Sequence, residues 1–108
     1  MVGELSHRLV GVLVGSFHLD IDWEGRTARI DAIVVEPASR RVGIGKQLTQ
    51  YFISMARKRK CVAVKARVNV NNATAQKFNE SLGLARANTY EYVIDFQEPS
   101  KRVGVKGP

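Results

Sequence analysis

The chain has 108 residues, which is enough for one domain with its own hydrophobic core. With 44% hydrophobic and 25% charged residues it has the composition of a globular protein, and no apolar run is long enough to span a bilayer. The single cysteine, Cys61, excludes an internal disulfide and is typical of the cytoplasm. One cysteine and two histidines show no metal-ligand spacing, so no metal site is expected.

The net charge of +7 favours an anionic partner, such as a phosphate-bearing cofactor, a nucleic acid or an acidic protein. The densest basic run, at residues 57–60, also has a purely structural explanation. It closes a predicted helix, where cations interact well with the negative end of the helix dipole.

Two strands are predicted at the start of the chain. The valine-rich run from Leu9 to Phe17 is typical of a strand, and Gly11 and Gly15 in it indicate a bulge. A turn at residues 23–26 leads to a second strand at residues 27–35, which Pro37 ends. In this strand we expect Ala28, Ile30, Ala32 and Val34 to share one face.

The second half alternates helices with strands. Apolar residues recur at helical spacing from Gly43 to Lys58, and alternate residues are apolar from Val62 to Val70. Asn72 can cap a helix that runs to Leu82, with Gly83 after it. A final strand is predicted at Thr89–Phe96, with Tyr90, Tyr92, Ile94 and Phe96 on one face.

The predicted order is therefore β-β-α-β-α-β. A strand, helix and strand in succession imply a parallel crossover, whereas the opening hairpin is antiparallel. We expect an α/β fold with a mixed sheet and helices packed on it. Residues 1–96 would form a single domain, and residues 97–108 a basic, flexible tail.

The stretch from Ile33 to Lys46 predicts an anion site. A strand ends at Glu36-Pro37, a basic loop follows, and Gly43 and Gly45 open the first helix. The first turn of a helix has unpaired N–H groups and the positive end of the dipole, and glycines allow an anion to approach closely. The spacing is neither that of a Walker loop nor that of the dinucleotide fingerprint, and a simple tight turn explains the glycines equally well.

A second segment gives this loop a more specific interpretation. Arg40-Arg-Val-Gly-Ile-Gly45 resembles the Arg/Gln-x-x-Gly-x-Gly/Ala signature of the GNAT family of N-acetyltransferases. The segment from Val68 to Leu84, in which Asn72 begins a helix and Leu-Gly-Leu ends it, looks like the second conserved element of that family. The two elements stand in the family's order, separated by one helix and one strand, and the resemblance covers about Leu9 to Phe96.

The resemblance implies acetyl-CoA as co-substrate. In the family the glycine-loop amides hold the pyrophosphate, and the preceding strand pairs with the pantetheine arm. A later asparagine and a residue on the second helix also contact the cofactor. Carried over by motif, the cofactor-binding residues are Ile33, Val34, Val35, Arg40, Arg41, Val42, Gly43, Ile44, Gly45, Lys46, Asn72 and Asn79. For Asn72, the role of helix cap is a sufficient explanation by itself.

Two departures from the family pattern concern catalysis. Many members have a tyrosine on the second helix that is thought to protonate the leaving thiolate, and Asn79 occupies that position here. An amide donates a hydrogen bond but supplies no proton. The chain also has only about eight residues before its first strand, so the N-terminal region is shortened. The acceptor site is therefore expected to be open, completed by a second subunit, or absent.

Acetyl transfer needs a neutral amine, and hence a base or a water relay near the thioester. Asp31 is the first candidate and Glu36, at the exit of the same strand, the second, although a solvent-facing charge is the more common role of such residues. His18 is a further candidate base. Tyr51, Tyr90 or Tyr92 could replace the missing acid, and Cys61 is more typical of packing than of an acyl carrier.

The sequence thus predicts a cytoplasmic N-acetyltransferase that moves acetyl from acetyl-CoA to a primary amine by direct attack. An open sheet edge favours a homodimer. The first alternative is a non-catalytic acyl-CoA-binding regulator or subunit of the same fold. The second is a nucleic-acid-binding module that uses residues 57–60 and the tail, for which no aromatic or helical reading surface is visible.

Overall fold

The structure, a computed structural model, describes residues 2–5, 8–38 and 43–97. Its elements follow in the order β1 (Val2–Leu5), β2 (Arg8–Asp20), β3 (Gly25–Val35), α1 (Ile44–Lys58), β4 (Ala63–Ala66) and α2 (Ala73–Ser81). The strands form one sheet in the order β1-β2-β3-β4, in which only the β3–β4 pair is parallel. The expected mixed sheet is confirmed, and the N-terminal residues add the short strand β1.

The long β2–β3 hairpin forms the centre of the sheet. Its turn covers Ile21–Glu24, two residues earlier than predicted, and Glu24 has a positive φ of 53°. The carboxylate of Asp20 accepts hydrogen bonds from the backbone N–H groups of Asp22 and Trp23. It also accepts one from the ammonium group of Lys65 on β4, and that hydrogen bond lowers the pKa of Asp20 below its ordinary value.

Helix α1 packs closely against the sheet because glycines lie beneath it. A Cβ atom added to Gly11 would stand 2.9 Å from a methyl carbon of Ile44, and one added to Gly15 would collide with the ring of Phe52. Phe52 is 2% exposed, so its ring has no room to withdraw. The two glycines thus allow the helix to approach β2. The buried core consists of Val10, Leu13, Ala28, Ile44, Leu48, Phe52 and Ala56.

The bulge expected near Gly15 is confirmed, and its extra residue is Asp31 on β3. Val14 pairs with Ala32 and Gly15 with Ile30, so Asp31 has no partner residue on β2. An extra residue reverses the faces of a strand beyond it.

The bulge makes the predicted face of β3 wrong in its second half. Ala28 and Ile30 belong to or contact the core as expected, but beyond Asp31 the core contacts come from Ile33 and Val35. Val34 is 65% exposed. The prediction applies a strict period of two to the whole strand, and the sequence carries no signal of a bulge at Asp31.

Helix α1 is confirmed, with Gly43 as its N-cap. Tyr51, which shares the helical spacing of the apolar residues in the sequence, is exposed. Of the strand predicted from Val62 to Val70, only the four residues of β4 form a strand, and Val70 is exposed. Neither α1 nor α2, the helices of the described residues, is long and apolar enough to cross a membrane.

The final predicted strand, Thr89–Phe96, is not formed in the described part of the chain. Its alternating pattern is present, but a strand needs an edge to pair with and a surface to cover its apolar face. Tyr90, Tyr92, Ile94 and Phe96 are instead 80–93% exposed. Of the predicted tail, only Gln97 lies within the described residues.

We expect Gly15→Ala to destabilise the protein by about 1–3 kcal/mol, because the added methyl group overlaps the Phe52 ring. Urea unfolding measures this cost. In a Phe52→Leu background the same substitution should cost clearly less, since the ring edge is gone. Equal costs in the two backgrounds would contradict the proposed contact, and Leu19→Ala, at an 86% exposed position, is the control with little expected effect.

Candidate functional site

The parallel strands β3 and β4 separate at their carboxyl ends. Their register runs from Thr27 opposite Ala63 to Ile30 opposite Ala66 and stops there, although β3 continues to Val35. Beyond Ile30, the side of β3 that faces β4 therefore has no strand beside it in the described residues. Clefts at the carboxyl ends of parallel strands are common places for ligands to bind.

A cavity of about 150 Å³ lies at this separation, between the two strands, α1 and α2. Its apolar wall comes from β3, from the end of β4 and from α2, and four polar residues add to it, among them Thr49 of α1. The lining residues are Ile30, Asp31, Ala32, Ile33, Thr49, Ala66, Arg67, Val68, Ala75, Phe78 and Asn79.

The N-terminus of α1 reaches the same region. Gly43 has a φ of 78°, a conformation that favours glycine, and no atom of the described residues lies within 4 Å of a Cβ added to it. At this end of the helix, the N–H of Gln47 donates a hydrogen bond to the carbonyl of Gly43, at 3.0 Å. The amides of residues 44–46 lie before this hydrogen bond, at the start of the helix. No side chain caps this end of α1, and its first turn contains no acidic residue.

Gly45 lies where α1, α2 and β3, three of the four elements around the cavity, meet. A Cβ added to it would lie 3.6 Å from Phe78 on α2, 3.6 Å from Val35 and 3.7 Å from Ile33 on β3. These are ordinary contact distances, so the position has space for a methyl group but for little more. The first turn of α1 is therefore in direct contact with the end of β3.

Asn72 caps α2. Its side-chain oxygen accepts a hydrogen bond from the N–H of Ala75 at 3.0 Å, which confirms the predicted cap. The side chain of Gln76 donates to the carbonyls of Asn69 and Val70, at 3.2 Å and 2.9 Å, and so holds the preceding loop onto the helix. Asn72 does not line the cavity.

The structure brings together three of the predicted site residues. Asp31, Ile33 and Asn79 line the cavity, Asp31 because the bulge places it at the point where β3 and β4 separate. Glu36 is half-buried just after β3, where its N–H donates to the carbonyl of Val10 at 2.7 Å. It is not among the lining residues.

The remaining predicted residues lie in different surroundings. The side chain of Ile44 is in the hydrophobic core, and those of Val34 and Lys46 are exposed. His18 is on β2, hydrogen-bonded to Ser16 at 2.8 Å and outside the cavity lining. Arg40, Arg41 and Val42 lie outside the described residues.

Two polar cavity residues were not predicted. Thr49 is 1% exposed, and its hydroxyl donates a hydrogen bond to the carbonyl of Gly45 at 2.8 Å. The only signal for this contact in the sequence is that Thr49 stands four residues after Gly45. Arg67 directly follows β4, at the carboxyl end of the parallel pair. Among the described residues, no cluster of histidine, cysteine or carboxylate side chains could hold a metal ion.

Comparison with known proteins identifies relatives of this arrangement. The sequence model of the acetyltransferase (GNAT) family matches residues 2–84. A comparison with curated protein sequences gives no match.

Several solved structures share the fold. A transcriptional regulator from Bacillus halodurans C-125 is 27% identical with a TM-score of 0.77, over 88% of this chain and 63% of that one. A ribosomal-protein-alanine N-acetyltransferase from Brucella melitensis biovar Abortus 2308 is 23% identical with a TM-score of 0.77, over 88% of this chain and 68% of that one. AAC(6')-Iy, in complex with the bisubstrate analogue CoA-S-monomethyl-acetylneamine, is 20% identical with a TM-score of 0.75, over 90% of this chain and 66% of that one. The chain thus spans about two thirds of their length.

We expect Asn72→Ala to lower the free energy of unfolding by about 1 kcal/mol, because the N–H of Ala75 loses its acceptor. Asn72→Asp should retain the cap and the stability. Chemical denaturation of the three proteins measures the difference. A stable Asn72→Ala variant would show that the hydrogen bond to Ala75 contributes little.

Proposed function

This chain belongs to the acetyltransferase (GNAT) family, and we propose that it transfers an acetyl group from acetyl-CoA to a primary amine. The observation that carries the proposal is the cleft where β3 and β4 separate, directly beside a helix N-terminus that is opened by glycine. A thioester can enter such a cleft while its distant phosphates stay at the helix.

The pyrophosphate of acetyl-CoA would bind at the start of α1. The amides of Ile44, Gly45 and Lys46 belong to the first turn, and the open space at Gly43 leaves room for an anion. We include Arg40, Arg41 and Val42 in this site because they complete the family signature. Lys46, which is exposed, adds a positive charge beside it.

The pantetheine arm would lie along the part of β3 that β4 leaves uncovered. There the backbone of Ile33 and Val34 can act as the edge of a sheet, to which the amide groups of the arm add as a strand would. Ile33 also lines the cavity that would receive the thioester. A cavity of similar volume in another protein holds a benzene molecule, so the 150 Å³ available here suits the acetyl thioester end.

The acceptor amine would attack the thioester carbonyl. A bond forms between the amine nitrogen and the carbonyl carbon, the carbon–sulfur bond breaks, and CoA leaves as its thiolate. Asp31 is proposed to take the proton from the amine, directly or through water, because its side chain lies at the cavity. Glu36 is the second candidate base.

Asn79 would stabilise the departing sulfur without protonating it. Its amide lies at the cavity and can donate a hydrogen bond. A thiol has an ordinary pKa of about 8.5, so a thiolate is a tolerable leaving group when a donor is near. We place the reaction in the cytoplasm, which suits a chain whose one cysteine, Cys61, is a free thiol.

The second candidate function is that of an acyl-CoA-binding regulator without catalysis. Asn79 supports it, because the residue at the position of the usual acid has no proton to give. The similarity to a solved structure described as a transcriptional regulator also supports it. Saturable acetyl-CoA binding without CoA release over a broad panel of amines would favour this alternative.

We expect Gly43→Val to abolish measurable acetyl-CoA binding by calorimetry, because the side chain fills the space at the start of α1. Gly83→Val is a matched control. Gly83 also has a positive φ, of 91°, and open space around it, but it follows α2. Both variants should lose about 1–3 kcal/mol of stability to backbone strain. Equal affinity for acetyl-CoA in the two variants would argue against the phosphate site.

We expect Asp31→Asn to lower kcat/KM by about a hundredfold or more, with acetyl-CoA affinity unchanged, because the amine then loses its base. Activity of the variant should recover at high pH, where more of the amine is already neutral. Asp22→Asn, in the hairpin turn, is the control. If Asp31→Asn keeps full activity and Glu36→Gln loses it, Glu36 is the base instead.

A further inference from the structure

We propose that the end of the molecule that lies away from the start of α1 binds the surface of a lipid bilayer containing anionic phospholipids. The contact would be made by the β2–β3 turn with its flanking residues and by the end of α1. These two segments, residues 19–26 and 57–60, form the tip surface. The proposal concerns the location of the protein and does not depend on acetyl transfer.

The hairpin turn displays large apolar side chains to solvent. Leu19 is 86% exposed, Ile21 is 93% exposed and Trp23 is half-exposed. The turn has a defined shape, because the N–H of Glu24 donates to the carbonyl of Ile21 at 3.1 Å and the carboxylate of Asp20 accepts from two further N–H groups of the turn. Exposed apolar side chains concentrated on one turn indicate a contact site.

Five cations lie beside this turn. Arg26 is exposed at the start of β3, directly opposite Leu19 in the register of the hairpin. The other four cations are at the end of α1 and just after it, and all are exposed: Arg57, Lys58, Arg59 and Lys60. None of the five forms an ion pair with a carboxylate of the described residues. The helix dipole accounts for cations at the end of α1, but it does not account for Arg26, which belongs to another element.

Contacts between the two segments place the cations at the base of the apolar turn. The N–H of Val62 donates to the carbonyl of Arg26 at 2.8 Å, which brings the chain after α1 level with the base of the hairpin. The guanidinium group of Arg59 lies 4.7 Å from the centre of the Phe17 ring on β2, so this cation is held against the same hairpin. Because β4 begins opposite Thr27, the turn extends beyond the strand that lies beside β3.

An anionic lipid surface fits both parts of the tip surface. Lysine and arginine side chains are attracted by anionic headgroups, while leucine, isoleucine and tryptophan side chains enter the boundary between headgroups and acyl chains. A nucleic acid would pair with the cations through its phosphates but would leave the aliphatic side chains of Leu19 and Ile21 in water. These two side chains therefore favour a bilayer as the partner.

Two carboxylates of the tip surface oppose the contact. Asp22 and Glu24 are exposed in the turn itself, and an anionic surface repels them. The five cations outnumber them, and the carboxylate of Asp20 is already paired with Lys65. The balance of charge at this end of the molecule therefore remains attractive to an anionic surface.

The tip surface and the proposed phosphate site lie at opposite ends of α1. The helix has 15 residues, which corresponds to a length of about 22 Å. A chain bound to lipid through the tip surface would keep the start of α1 away from the bilayer. Membrane binding and acetyl-CoA binding are therefore expected to be compatible.

The test is co-sedimentation of the full chain with lipid vesicles. Vesicles of mixed phosphatidylserine and phosphatidylcholine should bind the chain, and the bound fraction should fall as salt is added, because salt screens the attraction. Vesicles of phosphatidylcholine alone should bind it much more weakly. A chain that stays in the supernatant with the mixed vesicles at low salt would overturn the proposal.

Variants at exposed positions separate the apolar part of the contact from the electrostatic part. Ile21→Ser should lower the affinity for the mixed vesicles about tenfold, because an apolar side chain no longer leaves water. Lys58→Gln should lower it about fivefold, and Asp22→Asn should raise it. Val70→Ser, at a position 81% exposed before α2, and Lys77→Gln, at an exposed position on α2, are matched controls that should leave it unchanged.

Two results would contradict a bilayer as the partner. If Ile21→Ser binds the mixed vesicles as well as the unaltered chain does, the apolar turn does not enter the lipid and the proposed contact is wrong. If a single-stranded oligonucleotide binds the chain and the mixed vesicles do not, the partner of the cations is a nucleic acid. Circular dichroism of each variant checks that a change in binding does not come from unfolding.

Discussion

The molecule depends on the point at which the parallel pairing of β3 and β4 stops. Pairing ends at Ile30 and Ala66, and the next residue of β3, Asp31, is the extra residue of a bulge against β2. Beyond this point β3 therefore remains paired with β2 on one side, whereas on its other side it no longer pairs with β4. A cleft can form here without disrupting the sheet, because β3 is paired with β2 along its whole length in the long β2–β3 hairpin.

The bulge also determines which side chains face the cleft and which support it. Beyond Asp31, Ile33 and Val35 turn towards the core, and both lie at ordinary contact distance from the space at Gly45. The N-terminus of α1 is thereby fixed against the end of β3. Gly11 and Gly15 contribute from below, since they allow α1 to approach the sheet closely. Small residues thus position the helix whose first turn is proposed to hold the phosphates.

The described residues form more of the proposed binding site for acetyl-CoA than of a site for the acceptor amine. Acetyl-CoA is proposed to bind between the first turn of α1, which lies beside the end of β3, and the cavity between the strands and the two helices. The polar residues at the cavity are few, and in the segment that contacts Arg67 through Glu91, the side chains of Tyr90, Tyr92, Ile94 and Phe96 are exposed.

The sequence by itself determined the elements whose signals are local. Helix α1 follows from apolar residues at helical spacing, the cap of α2 from Asn72, and the family from two motifs in the correct order. The tertiary structure alone decided three other features: the faces of β3 beyond Asp31, the early end of β4, and the lack of a ladder between residues 89–96 and any other described part of the chain. Each depends on what lies opposite a residue in space. A bulge is a mismatch between two strands, and a strand needs an edge, so neither can be derived from the pattern of one segment alone.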